Sequence, residues 1–303
     1  MIFEGKTVIG YGVGFYYKAV KEKTREIMRI DYLCDAKWDD SDIEFYDNIP
    51  VIKRKDLEKV PNKVLVIFSC NQPLIRTLSA EFAAKGYEHY SAMSLLGSRV
   101  ITGAEIKAEG KDGELIIGTN KVIYDETLPD NLWVNFIGFN STLKIGTNLI
   151  IDQFTINIGS DCTLSVGDNV RIVITNVDVS GADLIIGDDC LFSYDTEIRT
   201  HDSHFIFDKT TKKRINYPKE VVIGPQVWIA AGVKILPGAH IGAGSVVAAN
   251  AVTSATFGKN VVIAGCPARV IRENVIWSKD NSAFGMGADS FDECVSRDAE
   301  KYV

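Results

Sequence analysis

In the second half of the chain, hydrophobic residues return at every sixth position. Ile223, Ile229, Ile235, Ile241 and Val247 keep that step, and Val227, Val233, Ala239, Ser245 and Ala251 stand four places after each of them. A helix repeats at 3.6 residues and a half-buried strand at 2, so neither produces a step of six. A short strand followed by a turn does: each six residues send one aliphatic side chain inward, the small position lets the chain round a corner, and three such units close a coil of about 18 residues. Looser copies occur earlier in "LIIGTNKVI", "LKIGTNLII", "INIGSDCTLSVGDNVRI" and "LIIGDDCLFSYDTEI". The pattern predicts a solenoid over about residues 110–270, with open ends that need covering.

The first third follows another rule. "KTVIGYGVG" runs from an apolar strand into a glycine-rich turn, "FYYKAVKEKTREIM" has helical composition, "IDYLCD" and "KVLVIFSC" are further strands, and "PLIRTLSAEFAAKGY" is a helix stopped at Gly86. Strands alternating with helices predict a parallel sheet of Rossmann type. The expected organisation is therefore mostly β: a parallel β-helix preceded by a small α/β Rossmann-like domain. Its divisions are an α/β domain at 1–92, a linker at 93–109, the β-helix at 110–273 with a loop at 199–220, and a polar tail at 274–303 carrying a short helix from about Ser290. Gly10, Gly12 and Gly14 admit two readings. They let the backbone approach a phosphate at the helix N-terminus, with Asp35 on a ribose, or they only make a tight turn; the spacing G-x-G-x-G lacks the usual third glycine.

Composition narrows the function classes. With 46% apolar and 24% charged side chains over 303 residues, the chain is long and apolar enough for two folded domains. Its net charge of -7 argues against a general nucleic-acid binder. No apolar run approaches the roughly 18 residues of a membrane span, and no signal peptide is evident, which places the protein in the cytoplasm. Six scattered cysteines form no C-x-x-C pair and read as small buried hydrophobes.

The repeat falls silent over "RTHDSHFIFDKTTKKRINYPKE", residues 199–220, which a solenoid accommodates only by extruding a loop. His201, Asp202, His204 and Asp208 crowd its start. Three chemistries compete there: a metal site, for which the spacing matches no signature; a solvated polar loop; and general-base catalysis, in which a neutral imidazole takes a proton from an attacking hydroxyl or amine.

The stretch from "RTHDSHFIFD" through "VVIGPQVWIAAGVKILPGAHIGAGSVVAANAVT" to "NVVIAGCPARVIRENVIW" resembles the hexapeptide-repeat O-acetyltransferases of bacterial surface polysaccharides, related to galactoside and maltose acetyltransferases. The resemblance implies the left-handed coil, a homotrimer, and direct acetyl transfer from acetyl-CoA to a sugar hydroxyl of a polysaccharide or its precursor, with no metal. It makes His204 the general base, with His201 and Asp202 as orienting or substrate-contacting groups. Trp228 lines the pantetheine and acceptor region, the Ala231 N–H faces the thioester carbonyl, Ala249 and Ser254 line the coenzyme arm, and Arg269 and Arg272 lie near the coenzyme phosphates. Two positions depart from the family: Ala230 replaces the usual glycine after W-I, and "VTSAT" lacks a lysine often found there. The first third is similar to small N-terminal domains of some sugar acyltransferases, which implies a nucleotide-sugar partner there. N-acylation of a nucleotide-linked amino sugar and a non-catalytic scaffold stand as alternatives.

Overall fold

The computed structural model describes residues 2–279. The expected helix near Ser290 lies outside the described residues. The chain divides into two compact units at Ser98/Arg99.

In the first unit, four parallel strands stand in the order Tyr32–Cys34, Thr7–Tyr11, Lys63–Ile67, Glu88–Ser91. Helix Phe15–Ile27 follows the glycine turn and Gln72–Ala84 follows Asn71, whose side chain accepts the Leu74 N–H at 3.0 Å and so caps an otherwise orphaned donor. Ile9, Leu65, Ile67 and Phe82 form the core under the sheet. Gly12 adopts φ +90°, and a Cβ on Gly10 would lie 2.9 Å from the Leu33 side chain, so these glycines are required by the turn and by packing.

The second unit is a parallel β-helix. Leu143 pairs with Leu164 and Leu164 with Leu184, whereas after the loop Ile223 pairs with Ile241, a shorter return. The earlier coils are longer because strands Ile150–Ile158 and Arg171–Val179 continue around a corner, where later coils use two-residue strands such as Trp228–Ile229 and Lys234–Ile235. The aliphatics of the six-residue step, Ile223 to Val247, are all buried in one continuous core reaching from Ile101 to Ala268.

Two features of the coil explain sequence signals. Corners need a left-handed residue, and Gln226, Gly232, Gly238, Gly244 and Asn250 supply positive φ at every sixth position; in the earlier coils Asn148, Asn169 and Asp189 supply it at one corner of successive coils. The glycine that follows the inward aliphatic answers to a different demand. A Cβ on Gly187 would lie 2.5 Å from the Pro225 nitrogen of the next coil, so this position is glycine because neighbouring backbones approach too closely for a side chain.

The segment 93–109, expected as a linker, carries structure. Strand Arg99–Thr102 pairs antiparallel with Leu132–Phe136, and helix Gly103–Glu109 opens on a capping box between Thr102 and Glu105. Ile101 and Ile106 enter the solenoid core, so this piece covers its first coil. At the other end, residues 275–279 run back along one corner: the Val275 N–H donates to the Asn260 carbonyl, Trp277 Nε1 to the Gln226 carbonyl, and Lys279 Nζ to the Asn169 carbonyl. Of the cysteines, Cys34, Cys162 and Cys190 are buried as expected, but Cys70 and Cys266 are exposed because they sit in the connections after strand ends. Cys294 lies outside the described residues. Burial pushes the Cys34 and Cys190 thiols up to about 12, which leaves them unreactive.

Candidate active site

The interrupted beat does extrude a loop. Phe207 and Arg214 form an isolated antiparallel bridge, the Ile215 N–H donates to the Ile206 carbonyl, and the Arg214 guanidinium lies 4.3 Å and 4.9 Å from the Phe205 and Tyr217 rings. The arm is thus a short hairpin with an aromatic–arginine stack.

At its base the two histidines differ. His201 Nε2 stands 3.1 Å from Asp178 Oδ1, and Nδ1 stands 3.1 Å from the Asp202 carbonyl. A carbonyl only accepts, so Nδ1 carries a proton; a carboxylate opposite Nε2 favours a second one. The Asp178 hydrogen bond accordingly raises the His201 pKa above its ordinary value against the opposing cost of burial. With both nitrogens engaged, His201 anchors the loop to the coil and has no lone pair to offer. His204 is exposed, and its ring makes no hydrogen bond among the described residues. What holds it is backbone: Asn216 Nδ2 donates to the His204 carbonyl at 2.7 Å and to Asp202 Oδ2 at 2.9 Å, while Asn216 Oδ1 accepts the Ile206 N–H. Asp178 and Asn216 escape sequence reasoning. Asp178 lies on the coil before the loop and arrives by strand pairing with Arg199, a relation that no local motif carries.

Trp228 lies on another face. The ladder sets Arg171, Leu191, Trp228, Val246, Val262 and Arg272 in one outward row. The adjoining row runs from Ser193 through Ala230, Ala248 and Ala264 to Arg269, since Phe192, Ile229, Val247 and Ile263 pair in sequence and Ala264 pairs with Arg269. Trp228 and Arg272 are three ladder steps apart, about 14 Å at the ordinary strand spacing. A strip of small side chains beside a tryptophan therefore ends at two exposed arginines. Ala230 fits this strip because Ala248 and Ala264 continue it at the same size.

The remaining residues fall on two corners. The Ala231 carbonyl accepts the Asn250 N–H, stacking the corner that holds Ala231 on the one that holds Ala249, and the ladder leaves the Ala231 N–H outside it. Ser254 follows strand Val252–Thr253, at the same corner of the coil from which the histidine loop departs. Within one chain, then, His201, Asp202, His204 and Ser254 share one edge, while Trp228, Ala231, Ala249, Arg269 and Arg272 share another.

Trp277 packs on Trp228, ring centroids 5.9 Å apart, and its own Nε1 is satisfied by Gln226 at 2.8 Å. Trp228 Nε1 is buried without an acceptor among the described residues. Among those residues no group of three His, Cys, Asp or Glu is placed to hold a metal ion, and no helix is long and apolar enough to cross a membrane.

In the first unit a cavity of about 530 Å³ opens beyond the C-terminal ends of the strands, lined by Tyr11, Gly12, Gly14, Asp35, Phe68 and Leu74 among others. It sits where strand order reverses, the usual ligand position in open parallel sheets. Asp35 is partly committed: its carboxylate accepts the Val13 N–H at 2.7 Å and the Lys37 N–H at 3.1 Å.

Comparison with known proteins agrees with this architecture. Residues 220–255 match the family described as bacterial transferase hexapeptide (six repeats). A polysialic acid O-acetyltransferase of Escherichia coli is 33% identical over 32% of this chain and 32% of its own length. A galactoside O-acetyltransferase of Escherichia coli is 33% identical over 48% of this chain and 63% of its own. A putative lipopolysaccharide biosynthesis O-acetyl transferase of the same species is 30% identical over 47% of this chain and 76% of its own. The chain thus spans between about a third and two thirds of the first two relatives. With the repeat, the buried hexad column and a relative matched over three quarters of its length, the chain belongs to the hexapeptide-repeat acetyltransferase family.

Proposed function

We propose that this protein transfers an acetyl group from acetyl-CoA to a hydroxyl of a surface-polysaccharide sugar or its precursor. The carrying observation is the division of labour at the loop base, where both ring nitrogens of His201 are engaged, by Asp178 and the Asp202 carbonyl, and His204 is left with an unengaged ring. The names of the relatives point to the same acceptor class.

In this reading the thioester arm lies along Ser193, Ala230, Ala248 and Ala264, with Arg269 and Arg272 toward its phosphates. The acceptor oxygen attacks the thioester carbonyl carbon as His204 takes its proton. The tetrahedral oxyanion is met by the Ala231 N–H, and the C–S bond then breaks as the imidazolium returns its proton to the departing thiolate. Orientation of both substrates supplies much of the remaining acceleration. Because the histidine edge and the tryptophan edge are different corners of one coil, a complete site draws on neighbouring copies, in keeping with a homotrimer. Incubating the assembled protein with acetyl-CoA and an oligosaccharide panel tests this: free thiol should appear together with an acceptor heavier by one acetyl group. Thiol release from no acceptor would overturn it.

The cavity of the first unit favours a second reading of the acceptor, a nucleotide-linked sugar held beyond the strand ends with Asp35 and the Gly12–Gly14 turn. Thermal shift of the whole protein with uridine and thymidine diphosphate sugars separates the two readings.

A further inference from the structure

On the outward row that contains Trp228, the earlier coils hold a second cavity, of about 430 Å³, lined by Ile150, Asn169, Arg171, Val173, Leu191, Ser193, Tyr194 and Lys279. Its size falls in the ordinary range of small-molecule clefts, about 300–1,000 Å³. It adjoins the proposed transfer point directly: Leu191 pairs with Trp228, and Ser193 begins the small-residue strip that Ala230 continues. The cavity therefore lies on the side of Trp228 opposite to Arg272.

Its charge is one-sided. Arg171 makes no side-chain hydrogen bond or ion pair among the described residues, and Lys279 is brought in by the returning C-terminal segment, its Nζ 2.8 Å from the Asn169 carbonyl. Among the described residues no carboxylate lines the cavity; Asp189, outside the lining, pairs with Lys279 at 3.8 Å. In a chain of net charge -7, a cleft with two cations and no lining acid is a built complement to an anion. Asn169, Ser193 and Tyr194 offer hydrogen bonds to hydroxyls, and Ile150, Val173 and Leu191 give an apolar floor suited to the C–H face of a sugar ring.

We infer that this cavity is the acceptor subsite and that it takes a sugar residue bearing an anionic group, a carboxylate or a phosphate, which Arg171 receives bidentately with Lys279 beside it. The inference rests on the transfer reading for the position of the thioester, and it narrows that reading to acidic acceptors.

The test uses the full chain and three small probes: methyl glucuronoside, glucose 1-phosphate, and methyl glucoside as the neutral control, measured by ligand-observed NMR titration at low salt. At least one charged probe should bind about tenfold tighter than the neutral one, and which of them does so identifies the anion. Arg171→Gln should erase the preference, Arg171→Lys should keep part of it, and added salt should shrink it in the native protein. Unchanged thermal midpoints of the variants show that folding is intact. Equal binding of all three probes, or a preference that survives Arg171→Gln, overturns the inference. Acetyl-CoA binding is titrated separately, so a failure of the transfer reading shows there and leaves the probe comparison readable.

Discussion

The coils before the loop and the coils after it bury the same column of aliphatics yet present different outer surfaces. Before the loop, long strands turn a corner and carry Arg171, Asn157 and Asp178 outward; after it, two-residue strands and their corners carry Ala230, Ala248 and Val246. Stacking is decided by the inward positions, the corners and the glycines where backbones approach closely, so the other outward positions are free to diverge. The later coils present a strip of small side chains, which in the proposed function takes the extended arm, and the earlier coils a cleft lined by Arg171 and Lys279. The loop departs at the seam between them.

The sharpest way to break that comparison is at the seam itself. His204→Ala should lower acetyl transfer by about 10²–10⁴-fold while leaving the thermal midpoint unchanged, as expected of an exposed ring that acts only as a base. A rate within twofold of the native one removes His204 from the mechanism.

Next in size is the stacking between the two sets of coils. Gly187→Ala should cost about 3 kcal/mol, read as a lowered midpoint in urea, because the added methyl meets the Pro225 and Gly224 backbone. Gly258 occupies the matching place on the last coil, where a Cβ meets nothing within 4 Å, so Gly258→Ala should shift stability by less than about 0.5 kcal/mol. Equal effects at the two positions would show that close backbone approach is not what demands glycine.

A smaller effect concerns how the loop is tied to the earlier coils. Since Asp178 raises the His201 pKa, the pair stabilises the folded protein fully below the unfolded imidazole value of about 6.5, and that stabilisation is lost as pH rises through the raised value. Asp178→Asn should therefore be less stable than the native protein by about 1 kcal/mol at low pH, a gap that closes at higher pH. A gap that widens with pH would contradict a protonated His201. The smallest effect expected is on the loop's own geometry: Asn216→Ala, which frees the His204 carbonyl and Asp202, should lower kcat a few-fold, about 1 kcal/mol of positioning, with little change in KM.

Much of this molecule is written locally. The six-residue step places Ile223 to Val247 inward because each strand of a coil must present an aliphatic to the same core, and that constraint repeats within a few residues. The glycine turn ahead of helix Phe15–Ile27 is legible for the same reason. Two features resist such reading. The segment 93–109 reads as a linker because the partner of its strand, Leu132–Phe136, comes only after the intervening hairpin of Glu114–Ile117 and Asn120–Ile123. The exposed Cys70 and Cys266 read as buried because composition alone carries no information about turns.

The sequence by itself determined the solenoid, the α/β unit ahead of it and the place of the loop, since each follows from a short-range period or its interruption. Only the tertiary structure decided which histidine is engaged and which is left unengaged, and that Arg171, Leu191 and Trp228 form one row. The reason is that a coil returns to the same face only after a full circuit of the chain, as from Ile223 to Ile241, and across the loop only from Ile186 to Ile223. Neighbours on the surface are therefore strangers in the chain, and their chemistry exists only once the coils have stacked.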